Sequence, residues 1–387
     1  MKITVPLLSP YYSRVLNTHI MFGIVESAIR AGAREIRITP AGDRYEIHSE
    51  KLNWKSLLIG LRNALEEMLM THYATGNRSK IKVSTKTMYA HLSYTVFCKG
   101  AFFDPPGNIQ RYPRELEAIY QELTNLIKGP VTDIPDSLKS SKSLLDKKTV
   151  EVTQQLDPTV NQWISFYEYK ESGPLSNFEY ALAWVGLYYY STVHKFKRGS
   201  SRIVEVIQYQ PYEDVELWEL LMIKDLATKI VREEDNPWKI SQEYGLLKTL
   251  LKSQLPPSLE EVPGLSKFTI LAYGQENQQG KGWRIFKTLE LPSLWHFVSY
   301  LKIHSFHGTT KFIETLDKLE MESKNKDKKD RENVLREVGY QLYSSVTTGN
   351  ENGFYNAFRL IRRLGYFIDP KFMEAVVNYI LEGGYHD

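Results

Sequence analysis

Between residues 274 and 284 the chain reads Gly274-Gln-Glu-Asn-Gln-Gln-Gly-Lys-Gly-Trp-Arg284, a run of glycines, amides and cations between two apolar, strand-like segments. Glycine lets a backbone approach a ligand closely, amide side chains pair with base edges, and cations neutralise phosphates. Asn277, Gln278 and Gln279 are therefore candidates for base contacts, and Lys281 and Arg284 for phosphate contacts. Nucleotide hydrolysis fits the run less well. Five residues separate Gly274 from Gly280 where the phosphate-cradling motif has four, and Gly282 stands where its magnesium-binding Ser or Thr belongs. The dinucleotide fingerprint also fails, for want of a third glycine after Gly280 and Gly282. The plainer alternative is a solvated hairpin loop.

Three further segments have the same chemistry. After the aromatic helix with Trp184, Tyr188, Tyr189 and Tyr190 comes His194-Lys-Phe-Lys-Arg-Gly-Ser-Ser-Arg202, whose Lys195, Lys197, Arg198 and Arg202 fit a phosphate-binding turn. Thr75-Gly-Asn-Arg-Ser-Lys80 joins a helix to a strand and offers Asn77, Arg78 and Lys80. Arg359, Arg362 and Arg363 share one side of a helix, opposite Phe354 and Phe358. Each segment read alone is also a solvated surface, and the tyrosines read first as core.

Catalytic signatures are missing from the sequence. There is no Gly-x-Ser-x-Gly and no His-Glu-x-x-His. His304 and His307 share a face of a continuous helix, but His296 lies about two turns earlier, so the three do not form a metal set. The single cysteine, Cys98, excludes an internal disulfide and a multi-thiolate zinc site, and its strand-like surroundings read as core. No cofactor is expected. The enzymatic alternative is an RNA-processing endoribonuclease on a ferredoxin-like fold, with His19 or His48 as general base. A protein-only structural adaptor is the other alternative.

The positioning elements follow from periodicity. The opening reads strand (Ile3 to Leu7), helix (Thr18 to Ala31), strand (Glu35 to Thr39), strand (Tyr45 to His48), an amphipathic helix striped by Trp54, Leu57, Leu58, Leu61, Leu65 and Met68, and strand (Lys80 to Thr85). This βαββαβ order is that of a ferredoxin-like unit. A helix from Pro113 follows, then a Lys- and Ser-rich stretch from Asp136 to Lys148 that reads as a mobile or binding-ordered connection. Next come a helix from Phe178 to Val193, a strand from Ile203 to Tyr209 and a helix from Val215 to Val231. The end reads as one helix from Leu294 to Glu322 and three shorter ones. The expected fold is α+β, with an N-terminal α/β domain (1–135), a central α/β segment (150–292) and a C-terminal helical bundle (293–387).

Across 387 residues, 42% are hydrophobic and 25% charged, enough for a sizeable core. A net charge of +3 places any nucleic-acid surface in local patches rather than the overall field. No apolar run long enough for a membrane span or signal peptide is seen, so the expected location is cytoplasmic.

Four segments stand in a distinctive order: Val5-Pro-Leu-Leu-Ser-Pro10, Tyr180-Ala-Leu-Ala-Trp-Val-Gly-Leu-Tyr-Tyr189, Arg202-Ile-Val-Glu-Val-Ile-Gln-Tyr-Gln-Pro211 and Asn352-Gly-Phe-Tyr-Asn-Ala-Phe-Arg-Leu-Ile-Arg-Arg363. With them the layout resembles the large subunit of the archaeal type I-A CRISPR surveillance complex (Cascade), the Cas-eight-a family. The resemblance implies a non-catalytic subunit that contacts the 5′ handle of a guide RNA and recognises the motif flanking the target in double-stranded DNA. It further implies steering of the displaced strand, assembly with backbone, handle-capping and small subunits, and recruitment of a helicase and nuclease. In that arrangement base pairing reads the long sequence and protein reads a few base pairs.

Overall fold

The computed structural model describes residues 1–8, 13–42, 44–50, 52–75, 111–145, 149–150, 156–158, 175–198, 201–227, 237–253, 264–277, 283–324 and 330–382. They form two contact units: 1–230 with 271–286, and 231–270 with 287–387.

The first unit opens β1 (Lys2–Val5), α1 (Arg14–Arg30), β2 (Arg37–Ala41), β3 (Arg44–His48) and α2 (Trp54–Thr75). This is the expected βαββα order; the strand read at Lys80 to Thr85 lies outside the described residues, as does Cys98. Ser13 caps α1 by accepting from the Leu16 N–H, and Gly32, at φ 86°, ends it. Then come α3 (Arg111–Leu126), the one-turn α4 (Asp136–Lys139), α5 (Asn177–Tyr190), β4 (Ser191–Arg198), β5 (Ser201–Pro211), β6 (Val215–Glu216) and α6 (Leu217–Ala227).

The core of this unit is α1 against α5, and both helices are buried nearly all round. Their backbones touch. A Cβ on Gly23 would stand 2.0 Å from the Leu182 carbonyl oxygen, and one on Gly186 would stand 1.9 Å from that of His19. Only glycine permits this approach. Trp184, Tyr189 and Tyr190 are buried, as the core reading of the aromatic helix requires.

Four strands form an antiparallel sheet in the order β1-β3-β2-β6, with Lys2 opposite His48, His48 opposite Arg37, and Arg37 opposite Glu216. Alternation puts Ile3, Val5, Ile38, Tyr45 and Ile47 in the core and leaves Lys2, Arg37 and His48 exposed. A second sheet has the order β4-β5-β7-β8, where β7 is Phe268–Asn277 and β8 is Arg284–Glu290.

In the other unit, α7 (Gln242–Lys252) packs with α8 (Pro292–His304), α9 (Phe306–Ser323) and α10 (Asp330–Thr348), while α11 (Asn352–Arg363) packs on α10 and α12 (Pro370–Leu381) on α8 and α9. Lys248, almost wholly buried, reaches Asp317 at 2.7 Å and also pairs with Glu320, whose carboxylate accepts from the Tyr244 hydroxyl. Phe312 stacks on Phe372 at 4.3 Å between centroids, and Phe358 packs edge-on against both. Asp369 caps α12 by accepting from the Lys371 N–H, with Pro370 in its first turn.

Four sequence expectations change; the helix read from Val215 starts at Leu217, because Val215 and Glu216 pair with Ile38 and Arg37 as β6. The helix read from Leu294 to Glu322 breaks at Ser305, whose backbone leaves the helical region (φ −147°, ψ 53°). The helix read to Val193 stops at Tyr190, because the β-branched Thr192 and Val193 pair with Ile207 and Val206 as strand. The Lys- and Ser-rich connection is tied down through residue 145. Leu138 is buried, the Asn177 side chain donates to the Ser137 and Lys142 carbonyls at 3.0 and 2.9 Å, and the Ser143 hydroxyl donates to Glu115.

Candidate nucleic-acid interface

The glycine and amide run is shorter as a loop than it reads in sequence. Gly274 to Asn277 complete β7 and Arg284 begins β8, and these strands are hydrogen-bonded neighbours. Gln278, Gln279 and Lys281 lie in the connection between them, outside the described residues. The roots of that connection are fixed by enclosed aromatics. Tyr273 is fully buried, Trp283 is 5% exposed, and their ring centroids are 6.2 Å apart. Arg284 is exposed, with its guanidinium 5.6 Å from the Phe286 ring centroid.

The basic segment after α5 is a β-hairpin rather than a turn. Lys195, Lys197 and Arg198 belong to β4 and Arg202 to β5, with Lys197 directly opposite Arg202. Because β5 neighbours β7, this hairpin and the β7–β8 connection are carried by one sheet. Asn77, Arg78 and Lys80 lie outside the described residues.

The arginine helix takes the predicted form. Phe354, Phe358 and Ile361 are buried on one side of α11, while Tyr355, Arg359, Arg362 and Arg363 are exposed on the other. None of the three arginines forms an ion pair among the described residues. The Arg362 guanidinium approaches only the Met373 sulfur, at 3.9 Å. A row of unpaired guanidiniums beside an exposed tyrosine can neutralise phosphates and stack on bases.

The histidines have other surroundings. His19 is fully enclosed, with Nε2 at 2.8 Å from the Tyr273 hydroxyl and Nδ1 without a partner, and burial lowers its pKa to about 3. A ring shut away from solvent cannot reach an RNA hydroxyl, which removes it as a general base. His48 is exposed and lies 3.7 Å from Glu46. Among the described residues no group of three or more His, Cys, Asp or Glu side chains is placed to hold a metal ion, and no helix is long and apolar enough to cross a membrane.

One cleft was invisible in the sequence. At the end of the first sheet a cavity of about 770 Å³ is lined by Lys2, Arg37 and His48 from the strands, Arg34 before them, and Trp218 and Leu221 from α6. Its lining comes from well-separated segments, so no local motif could announce it.

The described residues define a mixed α+β class of protein, with a βαββα opening, a second small sheet and a terminal helical unit. The comparisons narrow this. Residues 6–382 match the family model described as CRISPR-associated protein (Cas_Csa4). A curated relative, "CRISPR-associated protein Cas8a2/Csa4" of Methanocaldococcus jannaschii, is 29% identical over 320 residues, spanning 80% of this chain and 79% of the relative. The chain belongs to the Cas_Csa4 family, the type I-A CRISPR large-subunit family that the sequence resembles.

Proposed function

We propose that this large subunit binds rather than cuts. In this reading it works in the cytoplasm, contacts the 5′ handle of the guide RNA, recognises the motif flanking the target in double-stranded DNA, guides the displaced strand and helps recruit the helicase and nuclease. Its neighbours are the backbone, handle-capping and small subunits.

The observation that carries the reading is the solvent face of α11, where Arg359, Arg362 and Arg363 stand exposed without carboxylate partners among the described residues. Arginines kept only for folding are ordinarily paired or packed, whereas these are left to an external anion. Support also comes from the second sheet, which carries both the Lys195 to Arg202 hairpin and the rigid roots of the Asn277 to Arg284 connection. Amides in that connection suit base edges and Lys281 suits a phosphate.

Filter binding of reconstituted complex on duplexes with and without the flanking motif tests the assignment. Replacing Gln278, Gln279 and Lys281 by Ala is expected to erase the preference for the flanking motif. Unchanged affinity and unchanged preference would remove these residues from motif recognition.

A further inference from the structure

The cleft at the end of the first sheet has features that neither folding nor the surfaces above account for. Its floor is the cross-strand row Lys2, His48 and Arg37, in register across β1, β3 and β2. Its wall is Trp218 of α6, partly exposed and without a ring contact or hydrogen bond among the described residues. Leu221, 44% exposed, continues that wall one turn on.

The charges select the ligand. Lys2 is held by Glu46 at 2.8 Å, Arg37 by Asp214 with Nε at 3.1 Å, and His48 lies 3.7 Å from Glu46. Arg34 is the lining cation that is exposed and has no ion pair among the described residues. Glu35, Glu50 and Glu216 complete the rim. A track of consecutive phosphates would meet those carboxylates and be repelled. A ligand with one phosphate for Arg34, a flat face for the indole and ring-edge N–H donors for the carboxylates satisfies all three at once. Carboxylates accept from the exocyclic amine of cytosine, and tryptophan stacks on any base. An aromatic residue of a peptide offers the flat face without the phosphate for Arg34.

We infer that this cleft receives an unpaired nucleotide, stacked on Trp218, with its phosphate on Arg34 and an amine-bearing base edge turned toward the rim carboxylates. The inference deepens the nucleic-acid-contacting reading and rests on it, while using none of the residues assigned there.

Fluorescence anisotropy of the full chain with fluorescein-labelled ten-nucleotide single strands, oligo-dC against oligo-dT, tests it. Oligo-dC is expected to bind more tightly. Trp218→Ala should weaken oligo-dC about tenfold, and Arg34→Glu should weaken both strands. Circular dichroism and thermal unfolding confirm that the variants fold. A strand substituted with 5-iodo-dC should photocrosslink to the peptide containing Trp218. Wild-type affinity in both variants, together with crosslinks mapping elsewhere, overturns the cleft while leaving the arginine surface intact. Loss of binding only on reversing Arg359, Arg362 and Arg363 likewise overturns the cleft. Absence of any oligonucleotide binding removes the cleft and leaves the duplex reading to filter binding of the reconstituted complex, and a crosslink in the assembled complex from Trp218 to a protein neighbour also removes the cleft alone.

Discussion

Nε2 of His19, in α1, and the hydroxyl of Tyr273, in β7, are joined by a 2.8 Å hydrogen bond between two fully buried side chains 254 residues apart in sequence. The bond anchors the strand that leads into the amide-rich connection onto the central helix of its unit. It also sets a pH response. The His19 pKa is about 3 in the folded chain, lowered from 6.5 by burial. Between those values the unfolded chain binds a proton that the folded chain excludes, so acidification favours unfolding. The stability tied to neutral His19 is complete above about pH 6.5 and gone below about pH 3. Between pH 7 and pH 5 the loss should be about 2 kcal/mol. Urea unfolding at both values, compared with His19→Gln, isolates it. Equal pH dependence in the two proteins would exclude His19 as the responsible group.

A second prediction concerns Glu26, whose carboxylate is fully buried in α1. It accepts from Arg30 at 2.7 Å, from Lys224 at 2.8 and 2.9 Å and from the Tyr190 hydroxyl at 3.2 Å. Arg30 and Lys224 also lie about the Tyr189 ring, with their charged atoms 5.0 and 5.1 Å from its centroid. Arg30 keeps Glu67 at 2.6 Å and both cations are partly exposed, so Glu26→Ala should cost about 1.5–3 kcal/mol, the worth of charged hydrogen bonds lost from a buried carboxylate. Chemical denaturation gives the number, and a loss under about 1 kcal/mol would mean that the cations find solvent instead.

The glycine contact between α1 and α5 makes a third. Alanine at position 186 places its methyl group 1.9 Å from the His19 carbonyl oxygen, where backbone rather than a flexible side chain must yield. Gly186→Ala should destabilise by about 1–3 kcal/mol through overpacking, despite alanine's better helix propensity. An unchanged or raised thermal midpoint would show that the helices separate freely.

For the arginine surface the readout is ionic strength. Reversing Arg359, Arg362 and Arg363 to Glu should weaken DNA loading and reduce the slope of log affinity against log salt by about 2–3, near one unit per lost phosphate. Weaker loading with an unaltered slope would point to an indirect effect on the bundle.

Legibility in the sequence followed the range of the signal. The arginine surface, the Asp369 cap and the βαββα opening are local patterns and could be read directly. The end of α5 was hidden because no glycine or proline follows Tyr190 before the basic hairpin, and only pairing with β5 reveals a strand. Asp136 to Leu145 read as mobile because its composition is polar, while its order comes from the distant Asn177 and Glu115. The Trp218 cleft needed segments far apart in the chain to meet. Its tryptophan is ordinary in sequence, and what distinguishes it is partial exposure without a ring contact or hydrogen bond among the described residues.

The chain passes between its two contact units three times, after residues 230, 270 and 286. During synthesis, the helix at 242–252 emerges long before the segments bearing Asp317, Glu320 and Gly339 that enclose it. Until translation nears its end, Lys248 and Tyr244 lack their native surroundings, so a nascent chain halted early would leave that helix open to chaperones or to unwanted association.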